Sequence, residues 1–321
     1  MPRVAVVDIG TFTSRLAVAE VADGRVVDLE KRTKITDLGQ GVAQSGRLAP
    51  EAIGRVVECV ESYAKAARAS GVEACVTTLT SAARDAENAE ELLDQLRALG
   101  LEPQVIPGEV EGSLTFLGVA QDAPKETILV ADSGGGSTEL ALGSLEGGVL
   151  NVRSLNIGCR RITDLFLSRN DPPTAADVAE ARAWAAEQFA PHAEELRGLT
   201  SASRLFVVGG TATSLVAIHL GLVPYDGSRV HLYDFALSDT DALAEKLLSL
   251  TLNERAATPG LQAKRASVIA GGALVLSELM RTFGFASMVV SEHDLLYGLA
   301  AAAGAACEGK QALPGWNPVL S

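Results

Sequence analysis

The chain of 321 residues is poor in positive charge, cysteine and aromatic side chains. Lys and Arg total 27 against 40 Asp and Glu, which gives a formal charge of −13. A general nucleic-acid binder needs a basic face that releases counterions, and anionic membranes attract basic segments. The charge balance therefore excludes both classes of partner, and a highly anionic substrate requires a local site that offsets the overall charge.

Cysteine is too rare and too scattered for a disulfide scaffold, and no CxxC pair or zinc-finger spacing occurs. The four positions are Cys59, Cys75, Cys159 and Cys307. They favour free thiols in a reducing compartment. No signal peptide is recognisable after Met1, and the longest apolar stretches, near 266–276 and 295–306, fall short of the roughly 20 residues of a bilayer span. The sequence predicts a cytoplasmic protein without a membrane partner.

Familiar catalytic motifs are also missing. There is no Walker A sequence, no GxGxxG and no Ser-His-Asp arrangement, and none of the histidines has metal-ligand spacing: His192, His219, His231 and His293. A hydrophobic share of 47% excludes a disordered chain, and the length predicts about two domains. Strand-like and helix-like segments alternate in both halves, which predicts an α/β fold with mixed sheets.

The opening pattern of the chain recurs 124 residues later. VAVVDIGTFTSRLAV at 4–18 aligns with ILVADSGGGSTELAL at 128–142, so that Asp8 falls on Asp132 and Gly10 on Gly134. Both segments read as a strand, an Asp-x-Gly turn and a second strand. This shared pattern predicts a duplicated domain, with the boundary near 121–125.

The first turn is a candidate phosphate and metal site. Gly10 lets the backbone approach a ligand closely, and the hydroxyls of Thr11, Thr13 and Ser14 are potential donors to an oxyanion. Asp8 is a potential ligand of hydrated Mg²⁺. An ordinary hairpin with an Asp turn is the alternative interpretation.

The second turn is a stronger candidate because three consecutive glycines are costly in ordinary structure. It reads Asp132, Ser133, Gly134, Gly135, Gly136, Ser137 and Thr138. Such a run suits a loop whose successive N–H groups wrap a phosphate, with Asp132 as a metal ligand. Apolar strands on both sides argue against a flexible linker.

Three further features allow two interpretations each. The turn between a strand and a helix consists of Gly209, Gly210 and Thr211. It is either an anion site or an ordinary α/β crossover. Arg84 follows a strand among small residues, where it either clamps a phosphate or pairs with Asp85 at the surface. Glu111 lies near a helix start, where a carboxylate gains from the helix dipole whether or not it has another role.

The order and spacing of these motifs resemble the exopolyphosphatase / guanosine pentaphosphate phosphatase (Ppx/GppA) family, in its short two-domain form. The matching segments extend from Val4 to about Gly298 and read DIG (8–10), TSAARDAEN (80–88), PGEVEGSLTFLGV (107–119), DSGGGSTEL (132–140), SLNIGCRRITDLF (154–166), VVGGTATSL (207–215) and RASVIAGGALVL (265–276). The resemblance implies two duplicated ribonuclease H-like domains of the actin-like ATPase superfamily, with mixed sheets and a cleft between them. We expect them at 1–122, with a returning helix at about 296–308, and at 123–295, followed by a disordered tail at 309–321.

The resemblance also implies roles for individual residues. Glu111 would be the base that activates water, Arg84 a phosphate-binding arginine, and Glu139 a water-orienting acid. The implied metal ligands of Mg²⁺ or Mn²⁺ are Asp132 and Asp8. The implied phosphate-binding residues are Gly10, Thr11, Thr13, Gly134, Gly135, Gly136, Ser137, Thr138, Gly209, Gly210, Thr211 and Arg265. Other basic residues in or beside the motifs are expected to line the site, and a homodimer is expected from the family.

The implied function is metal-dependent release of a terminal phosphate from inorganic polyphosphate, or of the 5′-γ-phosphate from pppGpp. Two departures from the family pattern support an alternative, a weak or inactive regulatory protein that binds ppGpp or phosphate. Phe12 replaces the usual Asn in the first turn, and the late motif at 291–298 lacks its usual Arg. An ATP-dependent kinase or ATPase is a third interpretation.

Overall fold

The computed structural model describes residues 1–123, 125–199 and 202–321. The chain divides into two compact units. Unit 1 comprises 1–121 and 294–321, and unit 2 comprises 122–293. The sequence places these boundaries after residues 122 and 295. Within the described ranges, no helix has both the length and the apolar character needed to cross a bilayer.

The sheet of unit 1 has five strands, which are β1 (Arg3–Ile9), β2 (Thr13–Ala22), β3 (Arg25–Ile35), β4 (Ala74–Leu79) and β5 (Pro103–Val105). Their spatial order is β3-β2-β1-β4-β5. The first three form an antiparallel meander, and β4 and β5 run parallel to β1. Strands β1 and β4 are buried on both faces along nearly their whole length, as parallel strands inside a covered sheet usually are.

The helices of unit 1 cover both faces of this sheet. They are α1 (Val42–Ser45), α2 (Pro50–Ala69), α3 (Ser81–Asp85), α4 (Ala89–Ala98), α5 (Gly108–Ala120) and α13 (Leu295–Cys307). Alternate residues of β1 supply the two cores. Ala5 and Val7 belong to the cluster that contains Val56 of α2, whereas Val4 belongs to the cluster that contains Leu299 of α13.

The sheet of unit 2 has six strands, which are β6 (Ile128–Ser133), β7 (Thr138–Ser144), β8 (Gly148–Leu155), β9 (Arg204–Val208), β10 (Tyr233–Ala236) and β11 (Ser287–Val290). Their order is β10-β11-β9-β6-β7-β8. Strands β6, β9 and β11 are parallel, whereas β7, β8 and β10 pair antiparallel with their neighbours.

The helices of unit 2 pack around one large core. They are α6 (Cys159–Ile162), α7 (Ala175–Leu199), α8 (Gly210–His219), α9 (Gly227–Val230), α10 (Leu237–Ser249), α11 (Leu252–Ala256) and α12 (Ile269–Phe283). A π-helical turn spans Thr163–Leu167, and a 3₁₀ turn spans Ala263–Arg265. Helix α12 is buried along nearly its whole length and packs against α7 and α10, so it forms the centre of the unit.

The two sheets confirm the duplication predicted from the sequence. The order β8-β7-β6-β9-β11 in unit 2 repeats β3-β2-β1-β4-β5 in unit 1, and β10 is an addition at one edge. The register agrees as well, because Asp8 pairs with Arg15 and Asp132 pairs with Glu139, both at the 124-residue offset.

The tail at 309–321 differs from the disorder expected for it. Leu313 and Trp316 form an isolated bridge and pack, partly buried, against the core of unit 1 that contains α13. Ser321 exchanges two backbone hydrogen bonds with Cys75, each of 2.9 Å, beside the start of β4. The physical reason is that apolar side chains of this segment pack against the core, and its last residue forms backbone hydrogen bonds with Cys75.

Candidate active site

A buried carboxylate occupies the end of the first strand in unit 1. Asp8 is 2% exposed, and its Oδ2 accepts hydrogen bonds from Arg15 Nε at 2.9 Å and Nη2 at 2.7 Å. Arg15 Nη1 donates to Asp294 Oδ2, so one guanidinium group lies between two carboxylates. Burial raises the pKa of Asp8 above its ordinary value, although the Arg15 charge opposes the rise.

In the first turn, which follows β1, the backbone carbonyl groups accept hydrogen bonds from the segment that follows β3. Thr11 O accepts from Gly39 N at 2.8 Å, and Phe12 O accepts from the N–H groups of Thr36 and Asp37 at 3.2 and 3.0 Å. In the described part of the chain, the Thr11 N–H has no acceptor. With its carbonyls engaged and a donor open, the turn presents positive rather than negative dipole ends.

The triple-glycine turn of unit 2 has the same construction. Gly134 O accepts from Cys159 N at 3.0 Å, Gly135 O from Arg160 N at 2.8 Å, and Gly136 O from Arg161 Nε at 2.7 Å. The structure shows no acceptor for the N–H groups of Gly135 and Gly136 among the residues that it describes. This arrangement is typical of a backbone anion-binding loop.

A close glycine contact makes each construction possible. A Cβ on Gly39 would lie 2.2 Å from Thr11 Cγ2, and a Cβ on Gly158 would lie 2.6 Å from the Gly135 carbonyl group. Each glycine follows the third strand of its unit and lets the next segment reach the turn. Sequence reasoning missed both residues, although each is a glycine at a matching place after a repeated hairpin.

Not all of the predicted hydroxyl donors are open. Thr138 donates its hydroxyl proton to Ile157 O at 2.7 Å, and Ser14 shares a buried hydrogen bond of 2.9 Å with Thr36. Thr11 Oγ1 accepts from Ala82 N at 3.2 Å, which leaves its own proton available. The hydroxyl of Thr13 has no partner among the described side chains and backbone groups.

The Phe12 side chain is buried, with 5% of its surface exposed. The sequence suggested that Phe12 removes a polar group from the phosphate site. In the structure the ring is buried, and the backbone carbonyl of this residue takes part in the turn. The substitution therefore changes the packing beneath the turn and leaves its open N–H group in place.

Arg84 and Glu111 form an ion pair in unit 1. Arg84 Nη1 donates to Glu111 Oε2 at 2.6 Å and to Ile106 O at 2.9 Å. Helix α3, which carries Arg84, starts against the first turn, because Thr80 N donates to Ile9 O. The structure thus gives Arg84 an acidic partner that the sequence did not indicate, and its role as a phosphate-binding residue stays a prediction.

Glu139 is buried beside Asp132 on the neighbouring strand of unit 2. Glu139 Oε1 accepts from Ser154 Oγ at 2.8 Å, which fixes the carboxylate on the strand pair. Asp132 is only partly buried, and the φ of +101° at Gly209 brings that residue against β6, where a Cβ would lie 3.5 Å from Asp132 Oδ1. The second and third glycine motifs therefore meet at Asp132.

Arg265 lies over the Gly209–Thr211 turn. A Cβ on Gly210 would lie 2.1 Å from Arg265 Nη1, so the guanidinium group covers this glycine directly. The Thr211 side chain points elsewhere, because it is buried and a Cβ on Gly272 would lie 2.4 Å from its Oγ1. Gly210 and Arg265 thus belong to one surface, whereas the Thr211 hydroxyl lies beneath it.

The basic residues near the motifs are used unevenly. Arg15 and Arg84 are bound by acids, and Arg160 pairs with Asp164 at 3.2 Å. The lysines and arginine of β3 are exposed on its solvent side, and they are Lys31, Arg32 and Lys34. The predicted site residues therefore form one group in each unit, with backbone donors as prominent as charged side chains.

The carboxylates fit a hard divalent cation. Asp8 Oδ1 is buried and has no hydrogen-bond partner in the described structure, which leaves one lone-pair position open. Asp132 is partly accessible beside Gly209, with Glu139 paired to it across the strands. Oxygen donors of this kind suit Mg²⁺ or Mn²⁺.

Known proteins match this chain along most of its length. The sequence profile of the Ppx/GppA phosphatase family matches residues 17–301. Exopolyphosphatase 2 of Mycobacterium tuberculosis (strain ATCC 25618 / H37Rv) is 36% identical over 316 residues, which cover 94% of this chain and 98% of that protein. Exopolyphosphatase 1 of the same strain is 30% identical over 301 residues, covering 92% and 87%.

Solved structures agree with these sequence matches. An exopolyphosphatase-like protein has a TM-score of 0.85 at 33% identity, covering 96% of this chain and 99% of the other. The PPX-GPPA enzyme of Aquifex aeolicus has a TM-score of 0.78 at 30% identity, covering 94% and 99%. With a profile that spans most of the chain and relatives that match nearly end to end, the chain belongs to the Ppx/GppA phosphatase family.

Proposed function

We propose that the chain is a metal-dependent phosphohydrolase that releases terminal phosphate from inorganic polyphosphate, from pppGpp, or from both. The observation that carries this proposal is the triple-glycine turn, in which three carbonyls are bound from behind and the N–H groups of Gly135 and Gly136 are open. Phosphoryl transfer needs positioning and charge stabilisation more than covalent chemistry. Backbone donors supply both without adding to the net charge.

Each predicted residue has a role in this proposal. The open N–H groups of the two turns bind non-bridging phosphate oxygens, and the guanidinium groups of Arg84 and Arg265 add charge-assisted donors. Glu111 orients and deprotonates the attacking water. Glu139, fixed by Ser154, orients the polar groups next to Asp132.

Mg²⁺ or Mn²⁺ is the proposed cofactor. Asp132 is the better placed ligand, because Asp8 already shares its charge with Arg15. When bound, the ion neutralises charge on the phosphate oxygens. Removal of the metal is expected to abolish turnover.

The test is a phosphate-release assay with polyphosphate, pppGpp and ATP in the presence of Mg²⁺. Wild type is compared with Glu111→Gln and with Glu109→Gln, an exposed acid in the same first helical turn that serves as a matched control. We expect release from polyphosphate or pppGpp, its loss in Glu111→Gln and its retention in Glu109→Gln. Release from none of the substrates would overturn the enzyme proposal, and release from ATP alone would favour an ATPase.

The weak or inactive regulatory protein is the second candidate. The missing arginine of the late motif favours it, and so does Phe12, which supplies no polar side chain to the first turn. Binding of ppGpp without any phosphate release would support this alternative. A homodimer and a cytoplasmic location stay predictions, and light scattering on the purified chain tests the first.

A further inference from the structure

Three side chains that commonly bind metal ions converge in unit 2, outside the residues assigned above. They are Asp122, His231 and His293, and their ligand atoms all lie within 4.8 Å of one another. His231 Nε2 lies 3.5 Å from Asp122 Oδ2, and His293 Nδ1 contacts the same oxygen. The two imidazole rings have centroids 4.4 Å apart.

The carboxylate in this cluster is not neutralised by a basic side chain. Throughout 1–123, 125–199 and 202–321, no Lys or Arg forms an ion pair with Asp122. About a third of its side-chain surface is exposed, and each imidazole is about a quarter exposed. The cluster is therefore open to solvent on the Asp122 side, whereas the Nδ1 atom of His293 is buried beneath it.

We propose that Asp122, His231 and His293 bind a divalent transition metal ion such as Zn²⁺. Two imidazole nitrogens and one carboxylate oxygen are a common donor set for Zn²⁺ and Co²⁺. Mg²⁺ prefers oxygen ligands and is a poor match for two ring nitrogens. This site is thus chemically different from the proposed Mg²⁺ site at Asp132.

One hydrogen bond limits the affinity. Glu292 N donates to His231 Nδ1 at 3.2 Å, so the ring carries its proton on Nε2, facing Asp122, when no ion is bound. Coordination through Nε2 moves that proton to Nδ1 and breaks the bond from Glu292. Metal-bound histidines usually donate from their second nitrogen, but among the described residues His231 Nδ1 faces the donor Glu292 N instead of an acceptor. We therefore expect micromolar binding rather than the tight binding of a structural zinc site.

The position of the cluster in the chain indicates what role a bound ion would have. Asp122 is the first residue of unit 2 and His293 is the last. A bound ion would fasten together the points at which the chain enters and leaves this unit. The site is accordingly structural or regulatory, and its loss is expected to leave the phosphate-binding turns intact.

The test measures metal binding directly on the full-length chain. Cys307→Ser serves as background, because Cys307 is the exposed thiol. The chelator-treated protein is titrated with Co²⁺ in excess Mg²⁺, and binding is followed by visible absorption. We expect one Co²⁺ per chain, displaced by Zn²⁺.

The variants decide whether these residues are the ligands. Asp122→Asn, His231→Gln and His293→Gln are each expected to weaken binding by roughly tenfold or more. His219→Gln, a change at an exposed histidine outside the cluster, is expected to bind like wild type. Circular dichroism shows which variants are folded, and only the affinities of the folded variants are compared with wild type. Absence of Co²⁺ binding by wild type, or equal binding by the three cluster variants, would overturn the proposal.

Discussion

Arg84 Nη1 lies 2.6 Å from Glu111 Oε2, so the proposed phosphate-binding group and the proposed base are bound to each other in unit 1. A phosphate oxygen competes with the Glu111 carboxylate for the same donor. Substrate binding is then expected to draw Arg84 toward phosphate and leave Glu111 free to accept a proton from water. The pair links binding to activation of the base.

The first prediction concerns this pair. Arg84→Ala removes the guanidinium group that pairs with the buried Glu111 carboxylate, so we expect a loss of stability on the order of 3 kcal/mol and a fall in kcat/KM of about 10²–10³. Glu111→Gln still accepts from Arg84, so we expect near wild-type stability with turnover reduced by about 10²–10⁴. Urea unfolding and phosphate release measure the two effects. Equal stability loss in both variants would contradict the predicted asymmetry.

The second prediction concerns the glycine that packs on the triple-glycine turn. A Cβ on Gly158 would lie 2.6 Å from the Gly135 carbonyl, so Gly158→Ala must displace the turn. We expect a destabilisation of about 1–3 kcal/mol and a clearly raised KM for the phosphate substrate. Gly198→Ala is the control, because an added Cβ there contacts nothing within 4 Å. Its KM is expected to be unchanged.

The third prediction concerns the pH dependence of stability. Burial raises the pKa of Asp8 above 3.8, so the native state holds this proton more tightly than the unfolded state. The contribution of Asp8 to stability is therefore greatest below pH 3.8 and declines as pH rises through the raised pKa. In chelator, the stability of Asp8→Asn relative to wild type should improve over that interval. Urea titrations at several pH values measure it, and a difference that does not change with pH would refute the prediction.

The fourth prediction concerns the tail. Ser321 pairs with the backbone of Cys75, a residue 8% exposed whose thiol pKa is raised by burial. Deletion of 316–321 is expected to speed the reaction of Cys75 with a thiol reagent several-fold. Cys59, which is 0% exposed, should keep its rate and serves as the internal reference. Unchanged labelling of Cys75 would show that the tail does not protect it.

Much of the fold follows from local sequence. The sequence predicts strands at Ala74–Leu79, Gly148–Leu155 and Arg204–Val208 and a helix at Ala89–Ala98, and the structure has β4, β8, β9 and α4 at these bounds. The 124-residue repeat aligns Asp8 with Asp132, and these two residues hold equivalent positions in their hairpins. Local pattern was less informative for β10 at Tyr233–Ala236, an edge strand too short to show a period.

Some element ends differ from those that the sequence predicts. An asparagine directly before a helical segment predicts that Asn88 caps α4, yet its side chain binds the backbone of Leu48, 40 residues away. The sequence predicts that Ser238 caps a helix at 239–250, whereas α10 begins at Leu237. It also predicts that Pro191 breaks or kinks its helix, whereas α7 continues through Pro191. At Asn88 the contact with Leu48 outweighs a capping preference of about 1 kcal/mol.

In the candidate site, too, the local sequence indicates some features and long-range contacts determine others. The turns and their glycines were visible in the sequence, because glycine runs are costly unless a backbone needs them. The contact of Arg15 with Asp294 joins residues 279 positions apart, and nothing local indicates it. The carbonyls bound by Gly39 and by 159–161 were equally invisible, since backbone groups carry no residue identity.

The use of backbone amides in both turns has a consequence for solution behaviour. An amide N–H does not titrate, so the affinity of these turns for phosphate is independent of pH wherever the phosphate charge is constant. Such donors are neutral dipoles that release no counterions, so added salt weakens them less than it weakens a lysine cluster. A protein with a charge of −13 can thus hold a polyanion at ionic strengths that would detach it from a basic surface.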